Sequence, residues 1–160
     1  VKADQDRIQE FADVVALTEA RKHVNLRNRE YFEQLMDIYK EDAYLFLAEV
    51  NIDETLARLR QEQQQNKKEL AEVKEGAPKK LRRLQDIQKA LEKDIAEMSS
   101  LEGVYQGNTV IAGILSIKCG DTMEMLYAGM NDHFKKFMPQ YYLYTEHMKY
   151  AFTVKICRHI

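Results

Sequence analysis

A chain of 160 residues, 45% hydrophobic and 31% charged, has enough apolar content to bury a core and does not have the composition of a disordered polypeptide. Its formal net charge of -2 excludes a global attraction to nucleic acid, so any contact with a phosphate backbone must come from a local basic cluster. Two cysteines, Cys119 and Cys157, stand too far apart in the sequence to signal a disulfide framework or a paired zinc site, and fit a reducing compartment.

The opening stretch VKADQDRIQEFADVV lacks the basic start, apolar centre and small-residue cleavage site of a signal peptide. No run approaches the roughly 18 apolar residues of a membrane span, so a cytoplasmic chain is expected. From residue 4 to 21, Ile8, Phe11, Val14, Val15 and Thr18 fall at helical spacing, and from 28 to 40 Tyr31, Phe32, Leu35, Met36 and Tyr39 do the same. Two amphipathic helices are therefore predicted. Residues 43 to 50, AYLFLAEV, are too short and too continuously apolar for a surface helix, and predict a buried strand.

The composition then changes. Between residues 53 and 102 glycine and proline occur only at Gly76 and Pro78. Before them Ile52, Leu56, Leu59, Gln63, Asn66, Leu70 and Val73 follow alternating steps of four and three, the stripe of a coiled-coil seam. After them Leu81, Leu84, Ile87, Leu91, Ile95 and Met98 form a second stripe in which one step of four replaces a three. A turn at Glu75-Gly76-Ala77-Pro78 would join helices over 53–75 and 79–102 into an antiparallel hairpin on the order of 35 Å long.

Gly103 and Gly107-Asn108 close that excursion. TVIAGILSIKCG, from Thr109 to Gly120, is rich in branched residues and predicts a strand; a turn at Gly120-Asp121 leads to a further strand, MEMLYAGM. Pro139 suits the first turn of a closing helix that Tyr142, Glu146, Met148, Lys149 and Phe152 continue. The predicted order is helix, helix, strand, arm, strand, strand, helix. It gives an α/β fold with a partial acetyltransferase-like (GNAT) domain at 1–52 and 103–160 and an inserted helical arm at 53–102.

The stretch LRNREYFEQLMDIYKEDAYLFLAEV, the hairpin, and then TVIAGILSIKCGDTMEMLYAGMNDHFKKFMPQYYLYTEHMKYAF together resemble the second GNAT-like domain of the Fem/Mur (FemABX) peptidyltransferases. The most telling pieces are Tyr127-Ala128-Gly129, the Phe137-Met138-Pro139 entry to a helix, and an arm between the first and second of the predicted strands. The resemblance implies an aminoacyltransferase that moves an amino acid from aminoacyl-tRNA to the stem-peptide amine of a UDP-linked or lipid-linked muropeptide, building the interpeptide bridge of peptidoglycan. Peripheral membrane association through a lipid-linked substrate would follow. Family members carry two such domains, so the chain is expected to be an incomplete, inactive fragment, and its tail, Thr153 to Ile160, departs from the family pattern.

That chemistry requires positioning, loss of a proton from the ammonium and stabilisation of an oxyanion, with no metal and no cofactor. Arg27 and Tyr31 lie one helical turn apart and can point to one side, as a phosphate-binding guanidinium and a hydroxyl donor would. The resemblance assigns that pair to the muropeptide, although spacing leaves Arg29 as a competing arginine and a purely structural Tyr31 open. Tyr127, before the small residues Ala128 and Gly129 that would let a ligand approach the backbone, is the candidate catalytic residue, donating to a substrate carbonyl, or else a core aromatic.

His23, His133, His147 and His159 show no metal spacing and are expected to be structural or exposed. Lys79, Lys80, Arg82 and Arg83, with Lys74, crowd the arm tip and are candidates for tRNA contact; a lysine-rich turn also simply keeps a loop soluble. No Gln/Arg-x-x-Gly-x-Gly/Ala loop supports acetyl-CoA. A non-catalytic coiled-coil interaction module and a CoA-dependent N-acyltransferase stand as the alternatives.

Overall fold

The computed structural model describes residues 2–23, 27–73 and 77–153. It divides into two compact units, Val1–Glu49 with Val110–Ile160, and Val50–Thr109. The predicted turn residues Glu75 and Gly76, and the tail beyond Thr153, lie outside the described residues.

The first unit is built on an antiparallel sheet ordered β1-β2-β3-β4, with strands Lys2–Ala3, Ala43–Asn51, Asn108–Cys119 and Thr122–Met130. The sequence reading lacked β1, which pairs Lys2 with Phe46 and Ala3 with Leu45. Two residues are too few to show a period, and partners far along the chain define the strand. Gly120 and Asp121 make the two-residue connection between β3 and β4, where Gly120 takes a φ of 62° that a side chain would resist.

Helices α1 (Ile8–Lys22) and α2 (Arg29–Tyr39) cover one face of the sheet. Ile8, Phe11, Val14 and Val15 of α1 and Phe32 and Met36 of α2 share a core with Leu45, Leu47, Leu115 and Ile117. Because side chains alternate along a strand, Phe46 points to the opposite face, where it meets the ring of His147 on α5 (Pro139–Thr153) at 5.2 Å.

Helix α1 is seated directly on β4. The Thr18 hydroxyl accepts from the Met130 backbone N–H at 3.0 Å, and a Cβ added to Gly129 would lie 2.6 Å from the Val15 nitrogen and 2.7 Å from the Val14 carbonyl. The glycine at 129 thus makes room for helix backbone. From sequence alone, the same small residue is expected to admit a ligand.

His147 is fully buried, and neither ring nitrogen has a hydrogen-bond partner among the described residues. Burial without a partner disfavours the charged ring and pushes its pKa below the ordinary value. The unfolded chain therefore binds this proton more readily, and stability falls as pH drops through the ordinary histidine range. Thermal unfolding from about pH 7.5 to about pH 5.5 should show a loss that His147→Leu reduces, by at most about 1.4 kcal/mol per pH unit for one proton. An identical pH dependence in the variant would assign the loss to other groups.

The second unit holds α3 (Ile52–Ala71) and α4 (Pro78–Ser99), about 30 and 33 Å long at 1.5 Å per residue. Both are shorter than their predicted spans, and Asn51 caps α3 by accepting from the Glu54 backbone N–H at 3.1 Å. On α3 the predicted stripe faces inward: Ile52, Leu56 and Asn66 are buried, and Leu59, Gln63 and Leu70, with Val73 just beyond the helix, half-buried.

On α4 the phase of the seam differs from the prediction. Leu84, Leu91 and Met98 are buried and Gln88 and Ile95 half-buried, whereas Leu81 and Ile87 are exposed. Residues 84, 88, 91, 95 and 98 restore the steps of four and three, so Gln88 occupies the place given to Ile87. The buried Asn66 requires it, because its Nδ2 donates to Gln88 Oε1 at 3.0 Å and to the Leu84 carbonyl at 3.1 Å. A polar pair at one level of an apolar seam is satisfied in one register only, which fixes the alignment of the helices.

Candidate functional site

Helix α2 begins where Asn28 caps it, its side chain accepting from the Tyr31 backbone N–H at 3.2 Å. That start places Arg27 just outside the helix and Tyr31 in its first turn. Tyr127 approaches from β4, where the register passes from Leu115–Tyr127 to Ser116–Met125, leaving Leu126 as an extra residue. Such a bulge bends and twists its strand and re-aims the neighbouring side chain.

The three residues singled out in the sequence meet here. Tyr127 donates to the Tyr31 hydroxyl at 3.2 Å, with the ring centroids 5.8 Å apart in an edge-to-face arrangement. The Arg27 guanidinium lies 5.1 Å over the Tyr31 ring. Underneath, the fully buried ring of Phe32 packs edge-on against Tyr31, Tyr127 and Phe11 at 5.9, 5.2 and 5.0 Å. Phe32 and the bulge at Leu126 orient the site. In sequence Phe32 was indistinguishable from any core aromatic, and a bulge leaves no local signal.

The hydrogen bond to Tyr31 holds the Tyr127 hydroxyl above the ordinary phenol range; burial adds to this, and the Arg27 guanidinium opposes it. Tyr127 therefore remains a neutral hydroxyl near neutral pH and acts as a donor. The Tyr31 oxygen, already accepting, still has its own proton to give. Together with Arg27 the group offers one fixed positive charge beside hydroxyl donors, an arrangement suited to an anionic, oxygen-rich ligand. Arg29, the competing arginine, is engaged elsewhere, with Glu33 at 2.6 Å and Gln9 at 3.0 Å.

In the second unit Lys79, Lys80, Arg82 and Arg83 are all exposed in the first turns of α4. The positive end of the helix dipole disfavours Lys79 and Lys80 in the first turn, by a few tenths of a kcal/mol at about the low end of the usual range for exposed charges, and no acidic residue there offsets it. Helix stability thus gives no reason for the placement of these two lysines. The antiparallel pairing brings Lys67 and Lys68, near the end of α3, to the same end of the arm, beside Glu69 and Glu72.

Similarity to known proteins extends over nearly the whole chain. The model of the FemAB family matches residues 1–159. The chain is 25% identical over 162 residues to the Lipid II:glycine glycyltransferase of Staphylococcus aureus and 28% identical to that of Staphylococcus epidermidis, covering 94% of this chain and 38% of each relative. The crystal structure of FemX superposes with a TM-score of 0.69 at 25% identity, over 94% of this chain and 40% of that one. The chain thus spans well under half the length of the relatives it matches.

Proposed function

The chain belongs to the FemAB family, and from that premise we propose that it serves an aminoacyltransferase acting on a lipid-linked muropeptide, with aminoacyl-tRNA as donor. The relatives' name, lipid II glycyltransferase, supports the acceptor and the peptidoglycan bridge as product. In the reaction the stem-peptide amine, having lost a proton from its ammonium form, attacks the ester carbon of aminoacyl-tRNA. A C–N bond forms, the C–O bond to the ribose breaks, and the tRNA hydroxyl leaves with a proton.

The observation that carries the reading is the convergence of Arg27, Tyr31 and Tyr127 from stretches 96 residues apart. Arg27 and Tyr31 bind an anionic oxygen of the acceptor, and Tyr127, held neutral, donates to Tyr31 or to a carbonyl. These groups bind and orient, and the proton of the ammonium is released to solvent before the attack. Arg27→Ala should weaken muropeptide binding about 10- to 150-fold, the equivalent of the 1.5–3 kcal/mol of a charge-assisted contact, and leave aminoacyl-tRNA binding unchanged. Equilibrium titration with each ligand measures this; equal small changes in both would return Arg27 to a structural role.

The basic end of the arm is assigned to the tRNA backbone. Replacing Lys79, Lys80, Arg82 and Arg83 with glutamine should weaken tRNA binding and lower the slope of log K against log salt by about 0.7–0.9 per lost phosphate contact. Thermal stability should not fall, because these side chains are exposed and their charge opposes the helix dipole. An unchanged salt slope would leave the cluster as a solubilising surface.

A further inference from the structure

Helix α5 buries one face and leaves another bare. Pro139, Leu143, His147 and Ala151, four residues apart, are buried. On the far side Tyr141, Met148 and Phe152 are 69%, 41% and 60% exposed. With Thr145 they follow steps of four, three and four, which lines them up along the helix. Phe137 and Met138, exposed in the turn just before the helix, and Tyr142 on its flank extend the apolar surface. A helix apolar on two sides marks a surface that is covered when the protein works.

The surrounding charge indicates what covers it. Lys135 and Lys136 precede the helix and Lys149 lies beside Met148, all exposed. Between residues 132 and 153 the only acidic residues are Asp132 and Glu146. Each is engaged, Asp132 with Arg21 at 3.1 Å and Glu146 with Lys149 at 2.7 Å. Lysines bordering a stripe of tyrosine, phenylalanine and methionine match a bilayer surface, where amphipathic rings settle at the headgroup level and ammonium groups meet lipid phosphates. A dry protein interface would be depleted of lysine.

We propose that α5 and the turn before it dock the chain on the surface of an anionic lipid bilayer, Tyr141, Met148 and Phe152 entering the headgroup boundary and Lys135 and Lys136 meeting the phosphates. No described helix is long and apolar enough to cross a membrane, so the contact lies on the bilayer. The proposal goes beyond the transferase reading and does not rest on it, since lipid alone is the ligand.

Co-sedimentation with vesicles of phosphatidylcholine, with and without phosphatidylglycerol, tests it. The chain should bind the anionic vesicles more tightly than the neutral ones, and salt should weaken that binding. Met148→Ser with Phe152→Ser should lower the partition coefficient about tenfold or more, and Lys135→Gln with Lys136→Gln should abolish the preference for anionic lipid. Circular dichroism and melting should be unchanged in both, the residues being exposed.

Three outcomes would overturn the proposal. One is no binding to either vesicle, and another is binding that survives both variants. The third is a concentration-dependent dimer in light scattering that the Met148/Phe152 variant dissociates, which would give the face to a second copy. Arg27→Ala should bind vesicles like the parent chain, so this result and the muropeptide measurement fail separately.

Discussion

Gly129→Ala should destabilise the chain by about 3 kcal/mol, the upper end of what overpacking a tight contact usually costs. The added methyl would meet the backbone of Val14 and Val15 at 2.6–2.7 Å, and backbone in the middle of a helix cannot step aside as a flexible side chain can. Relief requires α1 to lift from β4, which would also loosen the bond from the Met130 N–H to Thr18. For a chain of this size the loss corresponds to a fall in melting temperature of about 6–12 °C. A fall of less than about 2 °C would show that α1 is not seated on β4 at this point.

Leu56→Ala should remove about 3 kcal/mol from the arm, within the range for a fully buried leucine whose cavity cannot collapse. Leu81→Ala, at a position 39% exposed, should change stability by no more than about 0.5 kcal/mol. The contrast tests the phase of the seam, since counting apolar residues places both leucines in it. Comparable losses at the two positions, read by chemical denaturation followed through helical ellipticity, would refute the described packing.

The main elements were legible because their periods are carried by the residues that make the core, such as Ile8, Phe11, Val14 and Val15 on one helix and the unbroken run at 43–50. The misplaced residue, Ile87, shows the limit of such reading. Hydrophobicity favours Ile87, whereas the partner helix presents Asn66, and only a polar side chain at 88 answers it. The rule there acts between helices, and a single stripe does not contain it.

Gly129 was ambiguous for a related reason. A small residue announces a close approach without saying what approaches, and here it is α1 rather than a ligand. At the candidate site, a spacing of four suggests Arg27 and Tyr31 as a pair on one helical face, whereas in the structure Arg27 precedes the Asn28 cap and reaches the Tyr31 ring from outside the helix. Their meeting with Tyr127 depends on the bulge at Leu126 and the wedge of Phe32, which are properties of the folded sheet. Arg29, the competing arginine, is engaged by Glu33 one turn along its own helix and by Gln9 of α1, and only the second of these contacts is non-local.

The arm leaves the sheet at the end of β2 and returns at the start of β3, its neighbour in the sheet, and at its base Asn51 Nδ2 donates to Asn108 Oδ1 at 3.1 Å. Entry and exit are thus held together by the sheet as a hairpin turn would hold them. Lengthening the excursion adds only about 0.6 kcal/mol of closure entropy for each doubling. Seven residues added to each helix would carry the basic end about 10 Å further from that base while preserving the seam and the strand register. The length of the arm is therefore an adjustable quantity, set in steps of whole heptads, and a change in reach leaves the packing of the sheet and its helices untouched.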